Sequence, residues 1–383
     1  MGIKITGGVK VPQGQFKVYV TPAGPTGHTL WAWGQGTYGQ LGDGTAIKRS
    51  SPVQIGSLTD WAQCNCGVAA VHSIAIKTDG TLWTWGFGGS GRLGDGTTVT
   101  KSSPVQIGAL TDWASFHGGG GHTLAVKTNG ELWAWGNNSA TGAGQLGQGD
   151  VIDRSSPIQV GSLTDWSKVS ARNQSLAIKT DGTLWGWGSN VNGQIGDGTS
   201  VYKSSPVQIG ALSDWSDIQA GSNFTIARKT DGSLWAWGLG TSGQLGDGAA
   251  INRSSPVQIG ALTDWASVGA GDAFCAAIKT DGTLWTWGDN SPNGQLGLGD
   301  VIDRSSPVQV GSLTDWSNIE PGRDFSAPVK TDGTLWSWGE NSANGTVGDG
   351  TVIDRSSPVQ IGSLTNWVSA SGGIRHTIAL RSV

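Results

Sequence analysis

The chain of 383 residues carries 24 Lys and Arg against 28 Asp and Glu, which gives a formal net charge of −4, and it contains no run of basic residues. This balance excludes the basic footprint of a protein that binds nucleic acid through its backbone charge. No stretch reaches the roughly 18 consecutive apolar residues of a membrane span, and no apolar signal-peptide core opens the sequence, so we expect no membrane insertion.

Residues 1–26 differ in sequence from the rest of the chain. Apolar residues alternate along them with polar ones, at Ile3, Ile5, Val9, Val11, Phe16, Val18 and Val20. Such alternation is typical of strands with one buried face. Two interpretations remain open: a strap that packs on the rest of the chain, or docking of residues 1–22 onto a partner by strand addition.

From residue 27 onward the sequence is a repeat. The string Leu-Trp-x-Trp-Gly recurs at intervals of 50 to 52 residues, with its first tryptophan at Trp31, Trp83, Trp133, Trp185, Trp235, Trp285 and Trp336. A second string, mostly Leu-Thr-Asp-Trp, has the same period, and three tryptophans per copy account for all 21 in the chain. A period of this length is typical of propellers and other repeat folds, and we assign residues 27–383 to one domain.

The copy at 113–163 illustrates the predicted unit. Strands are predicted at 113–116, 122–127, 132–136 and 156–160, and Asn129-Gly130 supplies a two-residue hairpin turn. Both faces of this small sheet are apolar, so each sheet needs a neighbour on either side. The sequence therefore predicts an all-β fold, a seven-bladed β-propeller of four-stranded antiparallel blades.

The two ends of the chain each supply part of one blade. Residues 376–380 match the second strand of the repeat and are followed by no third strand, whereas residues 30–34 match a third strand with no second strand of the usual type before it. We therefore expect the N- and C-terminal strands to pair and close the ring.

The repeated strings also carry a family resemblance. Leu-Trp-x-Trp-Gly, followed by Gly-Gln-Leu-Gly-Asp-Gly and a Pro-Val pair, resembles the repeat of the regulator of chromosome condensation family over residues 27–383. The resemblance implies a propeller, and the family includes nucleotide exchange factors, photoreceptors and binding modules. The regular spacing leaves no room for the exchange factor's inserted wedge. The positions matched to the ultraviolet photoreceptor's Gly-Trp-Arg-His-Thr motif lack its tryptophan and carry Val71, Gly121, Asn173, Asn223, Ala273, Asp324 and Arg375.

No catalytic signature is found in the sequence. Ser–His–Asp, His-Glu-x-x-His and phosphate-loop motifs are missing, and the Gly-x-Gly-x-x-Gly strings are followed by turn residues where a nucleotide fold has a helix. Asp43 and its equivalents in Gly-Asp-Gly are replaced by Gln148 and Leu298 in two copies, which favours a turn over a metal site. His72, His122 and His376 share one repeat position with Gln174 and with phenylalanines, which indicates packing. We expect a non-enzymatic protein with no cofactor and no metal.

A basic residue precedes every Ser-Ser-Pro. The seven are Arg49, Lys101, Arg154, Lys203, Arg253, Arg304 and Arg355. Such a ring could hold an anion, but we favour a structural role. Suggested partners are the carboxylates of the Leu-Thr-Asp-Trp string, Asp60 and its equivalents. The seventh copy has Asn366 at this position.

The alternation of strand direction sorts the loops into two faces of the disc. The second-to-third turns and the links between blades are nearly identical in every copy and form the uniform face. The first-to-second and third-to-fourth loops differ and form the variable face, as expected of recognition loops on a rigid scaffold. The candidate ligand-binding residues are Tyr38, Phe87, Asn137, Arg172, Asn190, Asn223, Asp272, Arg323, Asp324 and Arg375.

These observations predict an interaction or structural module that presents its variable face to a protein or a glycan. Nucleic acid is excluded as a partner by the charge balance. Low charge with abundant Gly, Ser, Thr and Asn suits a virion or a surface appendage, and a cytoplasmic location is the other expectation. The alternative function is regulation of a small GTPase in the manner of a guanine-nucleotide exchange factor.

Overall fold

Small antiparallel sheets of four strands repeat along the computed structural model, which describes residues 27–67, 70–139 and 142–383. Seven such blades are formed by these residues, and in five of them four consecutive strands lie side by side in chain order. The first strands of neighbouring blades contact one another around the axis, and the fourth strands lie at the rim. The predicted seven-bladed β-propeller is confirmed. The expected strap or docking segment at residues 1–26 lies outside the described residues.

The strands have the following bounds. Blade 1 begins with β1 (His28–Gly34) and β2 (Arg49–Gln54). Blade 2 contains β3 (Trp61–Asn65), β4 (His72–Lys77), β5 (Leu82–Gly86) and β6 (Lys101–Gln106). Blade 3 contains β7 (Trp113–Gly118), β8 (His122–Lys127), β9 (Leu132–Gly136) and β10 (Arg154–Gln159). Blade 4 contains β11 (Trp166–Ala171), β12 (Gln174–Lys179), β13 (Leu184–Gly188) and β14 (Lys203–Gln208).

The remaining strands complete the ring. Blade 5 contains β15 (Trp215–Ala220), β16 (Phe224–Lys229), β17 (Leu234–Gly238) and β18 (Arg253–Gln258). Blade 6 contains β19 (Trp265–Ala270), β20 (Phe274–Lys279), β21 (Leu284–Gly288) and β22 (Arg304–Gln309). Blade 7 contains β23 (Trp316–Asn318), β24 (Phe325–Ser326), β25 (Val329–Lys330), β26 (Trp336–Gly339) and β27 (Arg355–Gln360). Blade 1 is completed by β28 (Trp367–Gly372) and β29 (His376–Ser382).

The closure of the ring follows from the register of β1. This strand pairs antiparallel with β29 along its whole length, from His28 opposite Ser382 to Gly34 opposite His376. On its other side β1 pairs with β2, and β29 pairs with β28. Blade 1 is therefore built from both ends of the chain, and the predicted pairing of the terminal strands is confirmed.

The hydrophobic core lies between blades. The cluster between blades 5 and 6, for example, joins Phe224 and Leu234 of one blade to Trp265 and Trp287 of the next. In each blade the first-strand tryptophan packs at a steep angle against the two of the third strand, as Trp265 does with Trp285 and Trp287, at 6.1 and 6.3 Å between ring centroids and 81° and 58° between ring planes. Edge-to-face and steeply tilted indole pairs are favourable geometries, and here they fill the space between twisted sheets.

Two proline features modify the regular blade. Pro328 has no N–H to donate and divides the second strand of blade 7 into β24 and β25. The fourth strand of each blade also contains a proline. Ile55, three residues after Pro52, donates its amide inward to Leu30 O at 2.8 Å, so alternation directs the missing N–H of Pro52 toward the outer edge. The equivalent prolines are Pro104, Pro157, Pro206, Pro256, Pro307 and Pro358.

Helical structure is confined, within the described ranges, to one 3-10 turn at Gly89–Gly91. No helix among these residues is long and apolar enough to cross a membrane.

Candidate functional site on the variable face

Both classes of variable loop meet at one end of the disc. The first residue after each third strand donates its amide to the residue just before the second strand, as in Phe87 to Val71 O at 3.0 Å and Glu340 to Asp324 O at 2.8 Å. Near the axis, loops of successive blades bond to one another, as in Asp272 N to Arg323 O at 2.8 Å. On the opposite face, Thr78 N bonds to Asp60 O at 2.8 Å and joins a second-to-third turn to a blade link.

Blades 1 and 2 contribute an aromatic pair to the variable face. The Tyr38 and Phe87 rings lie 5.0 Å apart between centroids with an interplanar angle of 54°, and Tyr38 is 44% exposed. The guanidinium carbon of Arg92 lies 4.7 Å from the centre of the Phe87 ring, and its Nη1 donates to Gly120 O at 2.9 Å. Phe87 is thus held between two neighbours, and Tyr38 is the more accessible ring.

Arg92 is a site residue that the sequence analysis missed. It occupies the position that carries Gln40, Gln145, Gln194, Gln244, Gln295 and Thr346 in the other copies. The replacement of a repeated glutamine by arginine in one copy was the available signal. Asn137, half-buried beside this group, donates to Ser90 Oγ at 3.1 Å and accepts from Gln145 Nε2 at 2.8 Å.

Blades 6 and 7, together with the β28–β29 loop of blade 1, form a sector of mixed charge on the same face. Arg323 Nε donates to Asp324 Oδ2 at 2.7 Å, and Arg375 Nε donates to Glu340 Oε1 at 3.2 Å. Burial, together with the nearby carboxylates of Asp303 and Asp324, raises the pKa of Asp289 to about 6. Asp289 and Glu340 were not identified from the sequence, since neither belongs to a recognisable motif.

Two of the predicted ligand-binding residues lie in the interior. Arg172 is 3% exposed, and its guanidinium is paired with the Asp272 carboxylate across the axis. Asn190 is fully buried, where its amide nitrogen donates to Thr199 O and Val201 O at 3.1 Å each. Both side chains organise loops and are buried, so neither presents a surface to a ligand in this structure, although the sequence analysis places both among the candidate ligand-binding residues. Asn223, Asp272, Arg323, Asp324 and Arg375 are all half-buried on this face.

The seven cations before Ser-Ser-Pro form ion pairs, although not with the carboxylates suggested by the sequence. Arg49 pairs with Asp43 of the Gly-Asp-Gly turn at 2.6 Å, and Lys101, Lys203, Arg253 and Arg355 pair in the same way with Asp95, Asp197, Asp247 and Asp349. Where that aspartate is replaced by Gln148 or Leu298, Arg154 pairs with Asp150 and Arg304 with Asp300. Each cation thus ties the start of a fourth strand to its own preceding loop.

The suggested carboxylates serve a different lysine. Lys77 Nζ lies 4.5 Å from the Trp83 ring centre and 3.3 Å from Asp60 Oδ2. The same arrangement occurs at Lys127, Lys179, Lys229, Lys279 and Lys330, paired with Asp112, Asp165, Asp214, Asp264 and Asp315. In blade 1 an arginine and an asparagine replace the pair, and Arg381 Nε donates to Asn366 Oδ1 at 2.7 Å. This substitution explains the exceptional Asn366.

Metal-ligating side chains are not grouped among the described residues. No group of three or more His, Cys, Asp or Glu side chains among them is placed to hold a metal ion. Burial raises the pKa of the Cys66 and Cys275 thiols, which disfavours reactive thiolates. His72, His122 and His376 are fully buried and link successive blades through hydroxyl groups, as His122 Nε2 does with Ser175 Oγ at 2.8 Å.

These histidines make the fold sensitive to acid. Burial lowers the pKa of His122 and of His376 to about 3 and that of His72 well below its usual value. An unfolded histidine has a pKa of about 6.5, so below this pH the unfolded chain binds protons that the folded chain does not bind. The free energy of unfolding therefore falls as the pH drops toward the histidine pKa values of the folded chain. Three such groups cost about 4 kcal/mol at pH 5.5 relative to pH 8. His117, whose pKa burial lowers to about 4, adds to this cost, whereas Asp289, Glu320 and Glu340, whose pKa values burial raises, oppose it.

The test uses a substitution that the chain itself contains. Blade 4 carries Gln174 where the other blades have His72, His122 or His376. In urea titrations at pH 8 and pH 5.5, the triple variant with Gln at these three positions is expected to lose much less stability on acidification than the parent. Equal losses in both proteins would assign the acid sensitivity to other groups.

Comparisons with known proteins place this geometry in a family. The model of the RCC1-like domain matches residues 118–382, and the model of the regulator of chromosome condensation (RCC1) repeat matches residues 28–76 and 79–126. The ultraviolet-B receptor UVR8 of Arabidopsis thaliana is 31% identical over 373 aligned residues, which cover 93% of this chain and 71% of the receptor.

Solved structures share the fold at lower identity. Prp20p of Saccharomyces cerevisiae superposes with a TM-score of 0.80 at 21% identity, covering 94% of this chain and 92% of that one. Human WBSCR16 superposes with a TM-score of 0.79 at 20% identity, covering 92% and 98%. By its repeats, its closed ring of blades and these matches, the chain belongs to the RCC1-like domain family.

Proposed function

We propose that this protein is a non-enzymatic interaction module that binds a protein partner through its variable face. The observation that carries the proposal is the concentration of differences on one face. The Tyr38–Phe87 pair, of which Tyr38 is 44% exposed, and the charged sector of blades 6, 7 and 1 lie there. The uniform face instead repeats one arrangement, a lysine that contacts a tryptophan ring and an aspartate. Aromatic side chains and arginines beside half-buried carboxylates are typical of the residues that dominate binding energy at protein interfaces.

A protein ligand is favoured over a glycan by the relatives. The structure of Prp20p was described together with its binding to Gsp1p and histones. An uncharged sugar could stack on Tyr38, but it would leave the charged groups of blades 6 and 7 without a role. A virion or surface-appendage location is supported by composition alone.

The experiment compares the two faces directly. Partners that copurify with the intact protein are identified by mass spectrometry, and their affinities are then measured for Tyr38→Ala, Phe87→Ala and Arg323→Ala. Each change is expected to weaken binding about tenfold or more, as hot-spot residues do, with an unchanged melting temperature. Asp181→Asn and Asp281→Asn on the uniform face are the controls. If these variants lose binding and the variable-face variants do not, the ligand binds the uniform face and the proposal is wrong.

Regulation of a small GTPase is the second candidate. It rests on the family resemblance and on the protein–protein binding described for Prp20p. The decisive assay is the release of a fluorescent guanine nucleotide from purified small GTPases. If the protein accelerates release, and Tyr38→Ala or Arg323→Ala abolishes the acceleration, exchange activity at the variable face is established. If the rate stays at its spontaneous value, only the interaction-module function remains.

Reception of ultraviolet light is not proposed for this chain. All 21 tryptophans lie on strands, three to a blade, in the packing triads between sheets. No tryptophan is therefore found in the variable loops.

A further inference from the structure

Several departures from the repeat meet on the variable face where blades 2 and 3 adjoin. Arg92 occupies the position that carries glutamine in five other copies and threonine in the sixth. In the loop before it, Ser90 has a φ of +59° and lies in the 3-10 turn at Gly89–Gly91; among the described residues, only Ala343 is also a non-glycine residue with positive φ. Four consecutive glycines at 118–121 lead into the second strand of blade 3, and no other blade has such a run. Backbone strain and broken local patterns cluster at functional sites.

A hydrogen bond that the six other copies share is missing beside Arg92. At the other blade junctions the main-chain oxygen at this position accepts from a buried tryptophan of the next blade, as Gln40 O does from Trp85 Nε1 at 2.9 Å. The equivalent tryptophan beside Arg92 is Trp135, which is fully buried and whose Nε1 has no acceptor among the described residues. An unpaired buried N–H destabilises a fold, so packing alone does not explain the arginine.

The guanidinium of Arg92 is held in a fixed orientation with donors to spare. It lies against the Phe87 ring, and its Nε donates to Gly89 O and its Nη1 to Gly120 O, both at 2.9 Å. Its Nη2 has no acceptor in the described part of the chain. A Cβ on Gly121 would lie 3.7 Å from Nη2, so the glycine leaves room beside this nitrogen. A guanidinium has five N–H donors, and most of those on Arg92 are therefore open.

The positive charge of Arg92 is not balanced by an ion pair. It contacts no described carboxylate, whereas Arg323 and Arg375 on the same face each form an ion pair, and the residues outside the described ranges include no Asp or Glu. The charge of Asp153 acts on Arg92 from a longer distance, and an oxygen of that carboxylate already accepts two main-chain amides at 2.8 and 3.0 Å. Burial lowers the pKa of Arg92 only to about 10, so the group stays cationic at neutral pH.

We propose that Arg92 binds a side-chain carboxylate, from an Asp or Glu of the protein partner that docks on the variable face. A planar guanidinium with open donors pairs with a carboxylate through two parallel hydrogen bonds. A monoanion matches a single guanidinium, whereas the nearby negative charge of Asp153 disfavours a phosphate dianion. The inference rests on the proposed function, because it names the chemistry of one contact that this partner makes.

NMR titration of the arginine side chains tests the site without a known partner. The probe is the α-amide of N-acetylglutamate, which carries one side-chain carboxylate, and the α-amide of N-acetylglutamine is its uncharged control. The Nε–Hε resonance of Arg92 is expected to shift in a saturable manner with the first compound and not with the second. The resonances of Arg323 and Arg375, which already have carboxylate partners, are expected to stay in place. Equal shifts at the three arginines, no shift at Arg92, or a shift with inorganic phosphate alone would overturn the proposal.

Arg92→Gln supplies the second measurement, because glutamine stands at this position in five other copies. The variant is expected to keep the urea midpoint of the parent, to lose the NMR response to the probe and to bind the copurified protein partner about tenfold more weakly. If the partner binds Arg92→Gln as tightly as the parent while Tyr38→Ala weakens binding, the carboxylate contact is wrong and the proposed function stands. If no variable-face variant weakens binding, the proposed function fails, and the carboxylate site is then decided by the titration of the parent.

Discussion

Deletion of residues 375–383 is expected to leave no stable monomeric propeller. The deletion removes β29, which lies between β28 and β1 and is hydrogen-bonded to both. It also removes the buried side chains of Ile378 and Leu380 from the core between blades 1 and 2. The combined loss of burial and hydrogen bonds is on the order of 10 kcal/mol, comparable to the whole stability of a typical domain.

Size-exclusion chromatography and thermal melting measure this outcome. The truncated chain is expected to aggregate or to melt far below the parent, because two unpaired strand edges become accessible. Deletion of Val383 alone is the control, since this residue is 79% exposed and follows the last strand. A truncated protein that remains monomeric with a normal melt would contradict the closed ring.

Gly196→Ala is expected to destabilise the fold by about 3–5 kcal/mol. Gly196 has φ +92°, and an added Cβ would lie 2.5 Å from Nε1 of the fully buried Trp237 in the next blade. That indole nitrogen also donates to Gln194 O at 3.0 Å. The methyl group must therefore displace a large core side chain and break its hydrogen bond.

Gly210→Ala separates the steric cost from the backbone cost. Gly210 has a similar positive φ of +64°, but an added Cβ would meet nothing within 4 Å. Its replacement is expected to cost only about 1–2 kcal/mol, the penalty of a left-handed backbone for alanine. Urea titration of both variants gives the comparison, and equal losses of stability would show that contact with Trp237 is unimportant.

The architecture could be predicted because the repeat encodes it. Three tryptophans in each copy mark the first and third strands, and their positions at the two ends of the chain revealed the shared blade. The N-terminal boundary at Gly27 and the function of the preceding residues remain predictions. Strand length was the least accurate feature, since β7 continues to Gly118 beyond the predicted end at Phe116.

The candidate site was harder to predict because its contacts join distant copies. Arg172 pairs with Asp272, which lies two blades further along the chain, and no local spacing indicates such a pair. The sequence did contain a sign that Asn190 is buried, but its loop was interpreted only as variable. Asparagine recurs at its position in several copies, and Asn138, Asn290 and Asn341 are likewise fully buried. Recurrence within a variable loop indicated a structural role.

The prolines of the fourth strands bear on how these molecules behave when crowded together. The seven rim strands have nearly the same sequence. Without their prolines, they would offer seven equivalent edges at which a sheet could grow from one molecule into the next. At each edge the row of outward amide donors is interrupted by a proline. The missing donor disfavours pairing of a rim strand with the rim strand of a second copy, so the perimeter can carry seven nearly identical strands with a lower tendency to join edge to edge.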